Sequence, residues 1–235
     1  MTTHADALEA ILDSRYSCRA FRADPVPRPV IDRILRMAAR TASNNNAQPW
    51  QVIITAGQGT ENFRRALYEQ AANETAFYGK ETADLYARAD FPIQIYTGRH
   101  KERRKECGSQ LYQSVGIARE DKTTALKQSL ENFRFFGAPH VAIVTTDKKM
   151  GAYGAIDCGS YVTTFLLAAQ SLGVASVAQG AFSIFAPFLK DYFAIPDDRL
   201  IVCGISFGYA VDDAPINCFR TSRVPIDEQA IWRTD

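Results

Sequence analysis

Arg15-Tyr16-Ser17-Cys18-Arg19 sets two guanidiniums and a hydroxyl close together, and Ser43-Asn44-Asn45-Asn46-Ala47-Gln48-Pro49-Trp50 follows about twenty-five residues later. Guanidinium forks with a hydroxyl suit a phosphate monoester, which accepts several charge-assisted hydrogen bonds at once. Side-chain amides donate and accept in one plane, which suits the edge of a heterocycle. A spacing of four residues lets Arg15 and Arg19 face one ligand from one helical turn; a solvated helix face is the other reading of the pair. The intervening stretch 29–40 is amphipathic, with Val30, Ile31, Ile34, Leu35, Met37 and Ala38 on one side. A helix there would bring the two polar segments back toward each other. Together they read as a site for flavin mononucleotide (FMN).

The elements that must position these groups are helices with a few short strands. Positions 5–13 have Ala7, Leu8, Ile11 and Leu12 spaced for one helix face, and 62–73 reads as a polar helix. Apolar runs at 51–55, 138–146, 174–178 and 200–209 read as strands. Asp157 is expected to cap a long helix that runs through Tyr161, Phe165, Leu166, Ala168 and Ala169 and stops at Gly173. That helix is apolar nearly all round, the pattern of a buried central helix. No fixed-period repeat or low-complexity linker divides the chain, which reads as one α+β domain over 1–235.

Bulk properties narrow the function classes. A chain of 235 residues with 46% hydrophobic content can bury one sizeable core. A net charge of +1 gives no reason to expect nucleic acid or an anionic membrane as partner. Five scattered cysteines without a Cys-x-x-Cys pair argue against a zinc site or a disulfide scaffold and suit a reducing cytoplasm. The first twelve residues carry Asp6 and Glu9 and no signal-peptide pattern. No apolar stretch has the length of a membrane span.

Three segments, 14–55, 157–180 and 200–225, together resemble the FMN-dependent nitroreductase family, in the family's order and over roughly half the chain. The resemblance implies an α+β nitroreductase-like fold, a central mostly antiparallel sheet flanked by helices, in an intertwined homodimer with FMN at the interface. It places Arg223, in Thr221-Ser222-Arg223-Val224-Pro225, on the flavin phosphate with Arg15, Ser17 and backbone groups around Tyr16. Many members carry a basic residue two positions before that arginine, where this chain has Thr221. Asn46, with Ser43 and Asn44 nearby, is implied at the ring edge. Arg19 is implied near N1 and O2, where positive charge favours the reduced ring. The Gln179-Gly180 turn is implied to offer a backbone N–H to N5. An ordinary strand-end turn is the alternative there.

No side chain is expected to act as a proton-transferring catalyst, because His4, His100 and His140 have no Ser or Cys partner at a recognisable spacing. No metal is expected. Gly204-x-Ser206-x-Gly208 spells a nucleophile-elbow pattern, but a turn follows it where a hydrolase needs a helix. The region about 75–136 is rich in aromatics and arginines and resembles the family's lid over the flavin. Tyr78, Tyr86, Phe91, Tyr96 and Phe135 are its candidate substrate contacts. Aromatics packed in a core are the alternative. The tail, about 213–235, is expected to wrap a second copy, and the tract 133–139 resembles nitrobenzoate-reducing branches. The resemblance thus implies a cytoplasmic NADPH- or NADH-dependent FMN oxidoreductase that reduces nitroaromatics by a ping-pong route. Reductive dehalogenation, quinone or enone reduction, and non-catalytic FMN binding stand as alternatives.

Overall fold

The computed structural model describes residues 3–75, 87–92 and 94–234. Trp50–Thr55 (β1), His140–Asp147 (β2), Ala175–Gln179 (β3) and Arg199–Gly208 (β4) form one sheet in the order β1-β2-β4-β3. Every pairing among these strands is antiparallel. Around the sheet lie helices His4–Ser14 (α1), Arg28–Ala38 (α2), Gln58–Thr75 (α3), Gly98–Ser114 (α4), Lys122–Leu130 (α5), Gly151–Ser171 (α6) and Ala186–Phe193 (α7). Two single turns, Pro215–Cys218 (α8) and Ile226–Gln229 (α9), lie in the tail.

Both faces of the sheet are covered, which is why the strands read as continuous apolar runs. Val141 and Ile143 point into a core with Phe63, Phe135, Phe182 and Leu189. Ala142 and Val144 point into a second core with Ile31, Ile34, Tyr161 and Phe165. The register slips between Val144 and Thr145, with Val202 the extra residue, so Ile201 and Cys203 fall into opposite cores although they are two apart.

Helix α6 ends as the sequence suggests. Gly173, at φ +71°, allows the Val174 N–H to bond the Ala169 carbonyl (2.9 Å) and the Gly173 N–H to bond the Gln170 carbonyl (3.1 Å). Its start differs, because it begins at Gly151 and Asp157 therefore lies inside it rather than at its cap. Gly154 lets the helix approach the sheet: a Cβ there would come within 2.5 Å of the Thr146 hydroxyl.

The Gly-x-Ser-x-Gly pattern is a packing device within β4. A Cβ at Gly204 would collide with the Phe182 ring, and one at Gly208 with Pro139. Ser206 is fully buried and donates to the Gln179 side-chain carbonyl, so no nucleophile is presented. No helix among the described residues is long and apolar enough to cross a membrane.

His140 ties the N-terminal segment to the sheet. Its Nε2 accepts the Val26 N–H (2.9 Å), which leaves Nδ1 to donate to the Thr55 carbonyl (3.2 Å). The ring stacks on Phe207 at 5.2 Å, and burial holds its pKa below the usual 6.5. The unfolded chain therefore takes up this proton first, so the stabilisation is present above about pH 6.5 and is lost as pH falls. A His140→Gln variant should lose less of its thermal midpoint than the native protein between about pH 7.5 and about pH 5.5. Equal losses in the two proteins would remove His140 as the cause.

Candidate functional site

The arginine segment is extended rather than helical. Helix α1 stops at Ser14, Arg15 adopts φ −69°, ψ 129°, and Ser17 makes a parallel bridge to Ser176 on β3. The helical pairing of Arg15 with Arg19 is therefore replaced by strand alternation, which sets Arg15, Ser17 and Arg19 on one side. The segment covers the exposed edge of β3 through the Cys18 N–H, which bonds the Ser176 carbonyl (3.2 Å). Cys18 itself is a buried filler, and burial pushes its thiol up to about 11.

Residues 219–223 of the tail close the other wall. Arg15, Tyr16, Ser17, Arg19, Arg220, Thr221 and Arg223 line one cleft of about 480 Å³. Burial, then the nearby charge of Arg223, lowers the pKa of Arg15, and burial lowers that of Arg19. No carboxylate of the described residues lies within 4.0 Å of Arg15, Arg19, Arg220 or Arg223. Crowded guanidiniums with adjacent hydroxyls from Ser17 and Thr221, unpaired although Asp13 also lines the cleft, form a donor set that fits a phosphate monoester.

Ser43, Asn44 and Asn46 sit elsewhere. They form an exposed turn in which Asn45 (φ 50°), Asn46 (φ 57°) and Gln48 (φ 48°) are left-handed. Ser43 Oγ accepts the Gln48 N–H (3.0 Å), and Gln48 Nε2 donates to Asn46 Oδ1 (3.1 Å). The Asn44 N–H donates to both oxygens of Asp157 (3.1 and 3.2 Å), a carboxylate only 5% exposed within α6. The arginine end is tied to the same helix by Gln170, whose Nε2 bonds Ser14 Oγ (3.2 Å). About 20 Å of helix separates those two anchors. Within one chain, α2 does not bring the amide turn to the arginine cleft.

The Gln179-Gly180 turn leaves β3 on the arginine side, about 13 Å along the strand from Ser176. The Gln179 side chain is buried, donating to the Asn132 carbonyl (2.7 Å) and accepting from Ser206. Gly180 is exposed, and a Cβ there would meet nothing within 4 Å. Nothing in its own chain demands a glycine at this position.

A profile of the nitroreductase family matches residues 12–209. The chain belongs to the nitroreductase family. Nitroreductase NfnB of Mycolicibacterium smegmatis is 34% identical over 95% of this chain and 92% of its own length. A 4-nitrobenzoate reductase of a Nocardioides species is also 34% identical, over 98% and 92%. A crystal structure of the FMN-dependent NfnB from Mycobacterium smegmatis, in complex with NADPH, superposes with a TM-score of 0.89 at 33% identity and covers 99% of this chain and 100% of that one. The nitroreductase fold expected from the sequence is thus the fold observed.

The lid residues divide. Tyr78 and Tyr86 lie outside the described residues. Phe91 is partly buried beside Asp90, whose carboxylate accepts from Lys190 (2.8 Å) and from the Ile201 N–H (2.7 Å). Tyr96 is exposed, with Arg104 over its ring at 5.5 Å. Phe135 is a correction: it is fully buried, 4.9 Å from the Phe63 ring, and forms part of this nitroreductase's core rather than a surface for substrate. Its left-handed backbone (φ 61°) turns the side chain inward, and Arg64 holds the bend by donating to the carbonyls of Arg134 and Ala138.

Sequence reasoning missed Arg220, Asn217 and the true part of Asp157. Arg220 adjoins the recognised Thr-Ser-Arg motif, so proximity was the available signal. Asn217 gave none, because an asparagine in a polar tail reads as solvated. Asp157→Ala should free the Asn44 amide, raising its hydrogen exchange by about tenfold or more, with little change at Gly180. Unchanged exchange at Asn44 would show that the turn holds itself.

Proposed function

We propose that this protein is an NADPH- or NADH-dependent FMN oxidoreductase that reduces nitroaromatic compounds. The cleft carries the reading. Arg15, Ser17, Arg19 and Arg223 converge there, and no ion pair to a described carboxylate neutralises the arginines, although Asp13 also lines the cleft. An open glycine, Gly180, ends β3 beside the same extended segment. The NADPH complex of NfnB and the 4-nitrobenzoate reductase activity of a second relative support the choice of electron donor and acceptor.

Bound FMN would supply two-electron transfer from reduced nicotinamide, so that one turnover takes nitro to nitroso with loss of water and a second, with a second reduced nicotinamide, takes nitroso to hydroxylamine. The arginines and Ser17 hold the phosphate and fix the register of the ring. Gly180 would offer its N–H to flavin N5, and the Gln179 side chain anchors that turn through Asn132 and Ser206. Arg19 supplies the positive field near N1 and O2. Protons are assigned to solvent. Phe91 and Tyr96, with Tyr78 and Tyr86 outside the described residues, are assigned to the lid over the acceptor. A donor and an acceptor that use the same ring in turn give ping-pong kinetics.

The amide turn completes the site from a second copy. Ser43, Asn44 and Asn46 are absent from the arginine cleft of their own chain, and the chain carries uncovered apolar surface. Tyr153 and Ile156 on α6 are 60% exposed, Leu8 and Leu12 on α1 about half exposed, and Trp232 in the tail 84% exposed. Such surface calls for a covering partner, and an isologous homodimer supplies it twice. A cytoplasmic location accords with five unpaired cysteines, which a reducing compartment keeps as thiols.

Purified protein should be yellow, bleach anaerobically with NADPH or NADH, and recolour with a nitrobenzoate. Recolouring only with a quinone or halophenol would reassign the acceptor, and protein that stays colourless in FMN would end the reading. Arg223→Ala should weaken FMN binding by ~1.5–3 kcal/mol. Unaltered retention of FMN by that variant would remove Arg223 from the phosphate.

A further inference from the structure

Arg220 lines the cleft beside Arg15, Arg19 and Arg223, although no sequence pattern marks it for phosphate. Its guanidinium carbon lies 4.0 Å from the centroid of the Tyr16 ring. One nitrogen, Nη1, donates to the carbonyls of Asn217 (2.6 Å) and Phe219 (2.9 Å). Nε and Nη2 make no hydrogen bond to the described residues. The reverse stack is also present, since Arg19 from the extended segment lies over the Phe219 ring of the tail, 5.8 Å from its centroid. The two segments exchange arginine–aromatic contacts, each guanidinium resting on a ring of the other.

Asn217 joins the two halves of this exchange. It is only 2% exposed. Its Oδ1 accepts the Arg19 N–H (2.8 Å), and its Nδ2 donates to the carbonyls of Ala20 (3.0 Å) and Val211 (2.9 Å). All of its amide groups are therefore committed to backbone, and its own carbonyl receives Arg220. One buried residue thus sets the backbone of Arg19 and the side chain of Arg220 together.

A guanidinium held over a ring, with Nε and Nη2 uncommitted, keeps those N–H groups for an anion, and it has less rotamer freedom to lose when the anion binds. Thr221 next to it already accepts Arg223 Nη1 through its hydroxyl (2.8 Å). Arg220 is therefore the further cation that this tail adds to Arg223. We propose that Arg220 is a phosphate-binding residue of the flavin site, held on Tyr16 and positioned by Asn217. The proposal rests on reading the cleft as the FMN phosphate site.

The test compares FMN with riboflavin, which has the same ring and sugar chain but no phosphate, by titrating the full-length protein freed of flavin. The native protein should prefer FMN. Arg220→Ala and Arg220→Gln should each raise the Kd for FMN roughly tenfold or more and leave that for riboflavin nearly unchanged. Tyr16→Leu should lower the preference in the same way, whereas Tyr16→Phe, which keeps the ring, should retain it. An undiminished preference in both Arg220 variants would overturn the assignment while leaving the cleft reading intact. Equal weakening of both ligands would also overturn it, since it would mark Arg220 as structural. No preference in the native protein would instead remove the phosphate reading of the cleft, and the proposal with it.

Discussion

Guanidiniums gathered in one cleft repel one another until an anion lies among them, and something other than charge must hold them there in the meantime. In this protein that work falls to backbone and aromatic contacts where the extended segment 15–22 crosses the tail. The Arg22 N–H bonds the Tyr209 carbonyl (2.8 Å), the Val211 N–H bonds the Ala20 carbonyl (3.0 Å), and Asn217 closes the crossing. Each such bond adds about 1 kcal/mol net, but an orphaned buried partner costs more. The crossing is therefore cooperative, and the positive field it supports is a property of the fold before any ligand arrives.

The sheet connects this crossing to the rest of the site. Ser176 on β3 receives the extended segment, and four residues further on the strand ends at the Gln179-Gly180 turn. Gly204 admits the Phe182 ring against β4, which seats the residues after that turn in the core. The arginine segment and the Gln179-Gly180 turn are thus registered to one strand, while the amide turn is registered to α6 through Asp157. The buried carboxylate accepts the Asn44 N–H and ties the left-handed turn to α6, in addition to the turn's own bonds from Gln48 to Ser43 and Asn46.

Much of the fold was legible because its signals are strong and local. Hydrophobic runs at 138–146 and 200–209 marked β2 and β4 to within a residue or two, and Gly173 marked the end of α6. The grouping of Arg15, Ser17 and Arg19 was also legible from their chemistry, and Arg223 joined them through the family resemblance; the structure brings all four to one cleft. The backbone carrying them was not: four-residue spacing satisfies both a helical turn and strand alternation. Asp157 was misread because an aspartate ahead of an apolar run, with two glycines before it, has the pattern of a cap, and only the packing of Gly154 on Thr146 shows that the helix has already begun. Phe135 resembled a lid aromatic because two consecutive left-handed phenylalanines have no sequence signature, and that bend is what sends it inward. Asn217 could not be found at all, because the contacts that bury it, to Arg19 and Ala20, cross from a segment at the other end of the chain.

We propose a site whose phosphate arginines and ring-edge amides belong to different copies. Co-expression of two differently tagged chains, one carrying Arg19→Ala with Arg223→Ala and the other Asn44→Ala with Asn46→Ala, tests it most directly. Each variant alone should bind FMN poorly. The purified mixed pair should bind FMN with native affinity in one of its two sites, because one interface then combines intact arginines with intact amides. A mixed pair as flavin-poor as its parents would contradict the account and place the whole site within one chain.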